Sequence, residues 1–145
     1  MKTSITALAA IVALAVTVVL AAQQETKKSP QSHLGTWQLA SFKYGTGQPG
    51  FTDYPQSQRR IKLITETHFT WVNFDTSTKI VTGTAGGTYS LSGNIYTESI
   101  DFGLGMDTYS GKKHAFAIRV ENDKFFLSGS LDDGLKIEEV WQRVK

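Results

Sequence analysis

The sequence predicts an all-β domain, a small up-and-down antiparallel barrel of about eight strands, and three observations carry that expectation. Past an apolar N-terminal run and a polar spacer, short segments rich in Val, Ile, Thr, Phe, Tyr and Trp recur between clusters of Gly, Asn, Asp and Ser, with no sustained helical period. Several turns are explicit: Gly93-Asn94, Asn122-Asp123 and Asp132-Asp133-Gly134 supply residues that tolerate positive φ, which makes the last four strands a meander. Finally, these strands alternate apolar and polar residues, so each has one face to bury. With no helix to cover those faces, the sheet must meet a second sheet or close on itself, and closure also removes its exposed edges.

The elements follow in order. Met1-Lys2 precede Ile5 to Ala22, an apolar run broken only by Thr6 and Thr17 and ending in small residues. Residues 1–22 read as a secretory signal peptide, which places the protein in the periplasm or outside the cell. The competing reading is an uncleaved membrane anchor formed by residues 5–22, since the run nearly reaches spanning length. Residues 23–33 are polar and interrupted by Pro30, as expected of a flexible linker. Residues 34–145 form the barrel domain, with strands expected over Gly35 to Tyr44, Arg60 to Ile64, His68 to Asp75, Gly87 to Leu91, Ile95 to Phe102, Lys113 to Glu121, Lys124 to Leu131 and Lys136 to Val144. Thr46 to Gln58 and Gly103 to Gly111 are left as rim loops. Gly83, Gly86 and Gly87 fit a bulge or sharp bend better than a phosphate loop, because a strand rather than a helix follows them.

Period-two alternation assigns the inward faces. Tyr96, Glu98, Ile100 and Phe102 share one side of their strand, and His114, Phe116, Ile118 and Val120 share a side of the next. Phe125, Leu127, Gly129 and Leu131 do the same, as do Leu135, Ile137, Glu139, Trp141 and Arg143. In the strand from His68 both faces are partly apolar, and alternation does not choose between them. Buried carboxylates are costly unless paired, so Glu98 and Glu139 either line a wet cavity or meet basic groups inside. Arg59 and Arg60 read as solvated charges at a strand start, with a ligand carboxylate as the alternative partner.

Composition excludes several classes. A formal net charge of +2, with Lys and Arg never more than two in a row, is no footprint for a phosphate backbone, so no nucleic-acid partner is expected. The chain has no cysteine, which rules out disulfides, thiolate metal sites and a lipid-modified cysteine anchor. The membrane is therefore expected as a partner only through an uncleaved signal segment, and nothing in the sequence fixes an oligomeric state.

Gly35-Thr36-Trp37 in the first strand and Trp141-Gln142-Arg143 in the last resemble the lipocalin and fatty-acid-binding group called calycins. The resemblance implies that Trp37 lies across the closed end of the barrel beneath Arg143, with Gly35 admitting the chain closely, as a structural plug. Together with "RRIKLITETHFTWVNFD", "GGTYSLSGNIYTE" and "DGLKIEEVWQRVK", the opening "GTWQLASFKYG" is similar to a family of bacterial secreted lipocalin-like domains of unknown function, over Leu34 to Lys145. That family brings an expected fold and no reaction, ligand or site residues.

The function expected first is therefore non-catalytic: an exported barrel that takes a small apolar or amphipathic molecule into its lumen. Tyr89, Tyr96, Glu98, Phe102, His114, Phe116, Glu139 and Trp141 are the candidate ligand-binding residues, as an aromatic lining with a few polar fixings. No cofactor, metal or catalytic residue is assigned. Two alternatives stand beside it: a filled barrel that serves structure or protein interaction at the cell envelope, and a lumenal acid/base enzyme built on Glu98, His114 and Glu139. A void larger than a few waters favours the binder over the filled barrel.

Overall fold

The computed structural model describes residues 32–145, so the expected signal peptide and nearly all of the expected linker lie outside the described residues. Strands β1 (Gly35–Tyr44), β2 (Thr52–Asp53), β3 (Gln58–Ile64), β4 (His68–Asp75), β5 (Val81–Ser92), β6 (Ile95–Leu104), β7 (Lys113–Glu121), β8 (Lys124–Ser130) and β9 (Lys136–Arg143) follow in chain order. Among the described residues there is no helix. Eight strands form a closed antiparallel barrel, running β1, β3 and on to β9, with β9 pairing back onto β1. The short β2 lies outside this ring and pairs with β1 through Ser41 opposite Asp53 and Phe42 opposite Thr52.

Of the three register shifts in the sheet, at Leu39/Ser41, Asn73/Phe74 and Gly86/Gly87, the first and last bear on the expected elements. β1 pairs with β3 only over Gly35 to Gln38 and shifts its register on β9 between Leu39 and Ser41, so its second half leaves β3 and takes up β2 instead. The last lies in β5, which starts at Val81, well before the expected Gly87. Its glycine and threonine run carries no apolar alternation that would reveal a strand. Pairing with β6 shifts between Gly86 and Gly87. A Cβ on Gly87 would stand 2.0 Å from the Ser99 carbonyl oxygen, so only glycine lets the two backbones meet there.

That shift corrects one expected inward residue. Phe102 sits beyond it, opposite Gly86, and is 54% exposed. A one-residue slip moves every later side chain to the other face, so Phe102 is on the outside of the barrel. The alternation holds on the strand segments away from this point: Tyr96, Glu98, Ile100, His114, Phe116, Phe125, Leu127, Ile137, Glu139 and Trp141 are all buried. On β4 the inner face is that of Phe69 and Asn73, which are buried, whereas His68 is exposed.

One end of the barrel is packed solid with rings. Trp37 is fully buried, its ring centroid 5.4 Å from that of Phe125, and Tyr96 lies between Phe125, Phe69 and Tyr89. The Arg143 guanidinium stands 4.1 Å from the Trp37 ring centroid, a cation-π distance. Arg143 also ties down the incoming chain, donating to the carbonyls of Leu34 (2.9 Å) and Ser32. Gly35 has a φ of 122°, and a Cβ there would meet Arg143 Nη1 at 2.8 Å, which explains the small residue two positions before the tryptophan.

His33, assigned to the linker by its sequence, is buried in this plug. Its carbonyl accepts the Trp37 indole N–H at 2.8 Å, and its Nε2 lies 3.0 Å from the Tyr89 hydroxyl. Burial lowers its pKa from the ordinary 6.5, because the charged imidazolium loses its water. The unfolded chain therefore takes up this proton first as pH falls, and folding stability is lost as pH drops through and below about 6.5. We expect the melting temperature to fall between pH 7.5 and 5, and a His33→Gln variant to show a shallower fall. Equal slopes for the two proteins would contradict this.

Candidate functional site

The other half of the barrel is hollow. It holds a cavity of about 200 Å³, walled by Ile100, Phe116, Leu127 and Ile137 and rimmed by Met106, Tyr109, Leu131 and Leu135. The strands divide their inward residues between the two halves. On β9, Trp141 belongs to the packed end while Glu139 and Ile137 reach the cavity; on β6, Tyr96 and then Glu98 and Ile100 do the same.

Three polar groupings face this space. Lys62, from β3, donates to Glu98 of β6 at 2.7 Å, with both side chains almost fully buried. The same ammonium lies 5.3, 5.6 and 5.7 Å from the ring centroids of Trp141, Phe69 and Tyr96, so aromatic faces supplement the carboxylate.

The second grouping joins Arg60, Tyr44 and Glu139. Arg60 Nη1 donates to the Tyr44 hydroxyl at 3.1 Å, Tyr44 donates to Glu139 Oε1, and the Trp141 indole N–H donates to Glu139 Oε2 at 2.9 Å. Arg60 Nη1 is 3.8 Å from Glu139 Oε1, and its guanidinium stacks 4.8 Å from the Trp71 ring centroid. Burial first, and the Glu139 charge second, push the Tyr44 phenol well above its ordinary range, with Arg60 opposing. Tyr44 is thus a fixed donor that bridges a cation and a carboxylate.

The third is His114 of β7, directly opposite Glu98 in the ladder. Its side chain is 1% accessible, its Nδ1 lies 3.5 Å from Asp132 Oδ1, and the Tyr109 ring meets it edge-on at 5.5 Å. Neither ring nitrogen has a hydrogen-bond partner among the described residues. Around it the rim is fastened: the Tyr109 hydroxyl, from the β6–β7 connection, donates to Asp133 Oδ2 in the β8–β9 turn at 2.7 Å, and Lys112 reaches Asp132 at 3.5 Å.

Of the residues assigned to ligand binding from the sequence, Glu98, His114, Phe116 and Glu139 line the cavity. Trp141 touches the site through its bond to Glu139. Tyr96 and Tyr89 stack on one another in the packed end, where Tyr89 donates to the Thr65 carbonyl at 2.7 Å. Phe102 stands outside. The residues that sequence reasoning passed over are Lys62, Trp71 and Tyr44, together with Arg60, which lines the lumen although it was read as a solvated charge. A signal existed in β3: Arg60, Lys62 and Ile64 share one period-two face, and a buried Glu98 requires a cation. Among the described residues no three His, Asp or Glu side chains converge as a metal-binding group.

Residues 32–145 match the model of the family described as "Domain of unknown function (DUF4488)". Among solved structures, the chain is similar to a lipocalin-like protein from Bacteroides uniformis ATCC 8492, with 18% identity, 78% of this chain and 99% of that chain covered, and a TM-score of 0.56. It is also similar to an uncharacterized protein from Bacteroides eggerthii DSM 20697, with 14% identity, coverage of 77% and 98%, and a TM-score of 0.51. At these identities the likeness is one of fold, and the barrel is lipocalin-like. No curated protein matches the chain.

Proposed function

This chain belongs to the DUF4488 family of domains of unknown function, and for its lipocalin-like barrel we propose non-catalytic binding of a small amphipathic molecule in the lumen. The observation that carries this reading is the cavity itself, in which an apolar wall meets a buried His114 whose ring nitrogens have no hydrogen-bond partner among the described residues. At roughly 30 Å³ per water, about 200 Å³ corresponds to some six or seven waters, and an apolar cavity of roughly 150 Å³ is known to hold benzene. The favoured occupant is therefore a ring with small substituents. The void also favours this reading over a filled barrel. The apolar run from Ile5 to Ala22 supports export, so we place the binding outside the cytoplasm.

Native mass spectrometry of the full chain, purified from its own host without denaturation, tests the reading. A small molecule released on unfolding is expected, and Leu135→Trp, which fills the rim, should prevent its retention. A barrel that carries nothing and also fails to bind ring-sized probes at millimolar concentration contradicts it.

A further inference from the structure

We propose that the lumen selects a neutral ring compound that donates an O–H or N–H to His114, in preference to a carboxylate of the same size. The inference rests on the reading of the barrel as a small-molecule binder and narrows its ligand class. In a neutral imidazole one nitrogen carries the proton and the other accepts. The Asp132 carboxylate, 3.5 Å from Nδ1, favours the tautomer protonated at Nδ1 and leaves Nε2 as the acceptor. That acceptor is buried, on a residue of the cavity wall, with no donor among the described residues. An occupant that brings a donor satisfies it, whereas one of the same shape without a donor leaves it orphaned.

The charges in the lumen argue in the same direction. Lys62 is answered by Glu98 at 2.7 Å, and Arg60 is held by Tyr44 and lies 3.8 Å from Glu139. Lys62 thus has its carboxylate in direct contact, while Arg60 shares Glu139 with Tyr44 and keeps only a buried Nε without an acceptor among the described residues. The two cations and two carboxylates of the lining therefore balance. An entering anion would bring an unbalanced negative charge beside Glu98 and Glu139, or displace one of them from its cation, and breaking a buried pair is costly. A phenol or indole needs no such rearrangement: its ring lies on Ile100, Phe116, Leu127 and Ile137 while its O–H or N–H turns to Nε2.

Isothermal titration calorimetry of the full chain at pH 8 with p-cresol, 4-methylanisole and 4-methylbenzoate tests this, since the three share a ring and differ in the polar group. p-Cresol is expected to bind roughly tenfold or more tighter than either of the others. His114→Phe should erase the advantage of p-cresol over 4-methylanisole. Because that position is buried, Asp132→Asn at the exposed rim serves as the second variant. It should weaken p-cresol several-fold and leave 4-methylanisole unchanged. Equal affinities for p-cresol and 4-methylanisole, or tighter binding of 4-methylbenzoate, would overturn the donor preference while the binding function stands. Binding of none of the three would overturn both.

Discussion

Replacing Trp37 with alanine is expected to lower the unfolding free energy by about 3–5 kcal/mol, the range for removing a large ring from a core that cannot collapse around the gap. Several losses coincide at this position. The fully buried indole packs on Phe125, donates to the His33 carbonyl and supports the Arg143 guanidinium at 4.1 Å. Its removal leaves the Arg143 guanidinium facing a void and the His33 carbonyl without its donor. Against a typical total stability of about 5–15 kcal/mol, such a loss leaves a marginal or unfolded barrel. Arg143→Met, which keeps a stem over the ring but no charge, should cost less, about 1–3 kcal/mol, from the lost cation-π attraction and the lost donor to the half-buried Leu34 carbonyl. Urea denaturation of the three proteins checks the ordering. An Arg143→Met variant that is less stable than Trp37→Ala would show that the arginine, rather than the indole, closes the barrel.

Lys62→Met is expected to be nearly as damaging, at about 3–5 kcal/mol, for an electrostatic reason. Methionine fills the stem's volume among Phe69, Tyr96 and Trp141, so packing is largely kept. Glu98 is then left buried without its cation. The double variant Lys62→Met, Glu98→Leu removes both charges and should recover most of the loss, because a buried pair is close to neutral against apolar residues of similar size. A double-mutant cycle by denaturant unfolding measures the coupling. If the single and double variants lose the same stability, the pair is not what makes Glu98 tolerable inside the barrel.

Much of the barrel was legible because its strands obey a period of two. β6 to β9 each announce an inward face, and their turns carry Gly93, Asn122 and Gly134 with the positive φ values those hairpins need. The limits of that reading have physical causes. Only the second half of β5 is legible because a strand made of Gly and Thr shows no apolar rhythm, and alternation puts Phe102 inside because the shift at Gly86 and Gly87 has no signature beyond the glycines themselves. In the lumen, Glu98, His114 and Glu139 stood out as polar residues on apolar faces. Their partners did not: Lys62 and Arg60 lie on a strand whose other face, Ile61 and Leu63, looked equally fit for burial, and the carboxylates could be matched to cations only once β3 and β6 were brought across the barrel. His33 was missed because its burial comes from the Trp37 and Tyr89 contacts, and nothing in the polar segment around it reports them.

Lumenal binding depends on the hollow half of the barrel, and methyl NMR of the protein titrated with p-cresol tests it most directly. Methyl resonances of Ile100, Met106, Leu127, Leu131 and Ile137, which border the cavity, are expected to shift together and saturate. Those of Leu39 and Ile64, buried away from it, should stay in place. Unmoved cavity methyls at millimolar p-cresol, or shifts confined to outward residues such as Leu63 and Leu91, would contradict a lumenal binding site.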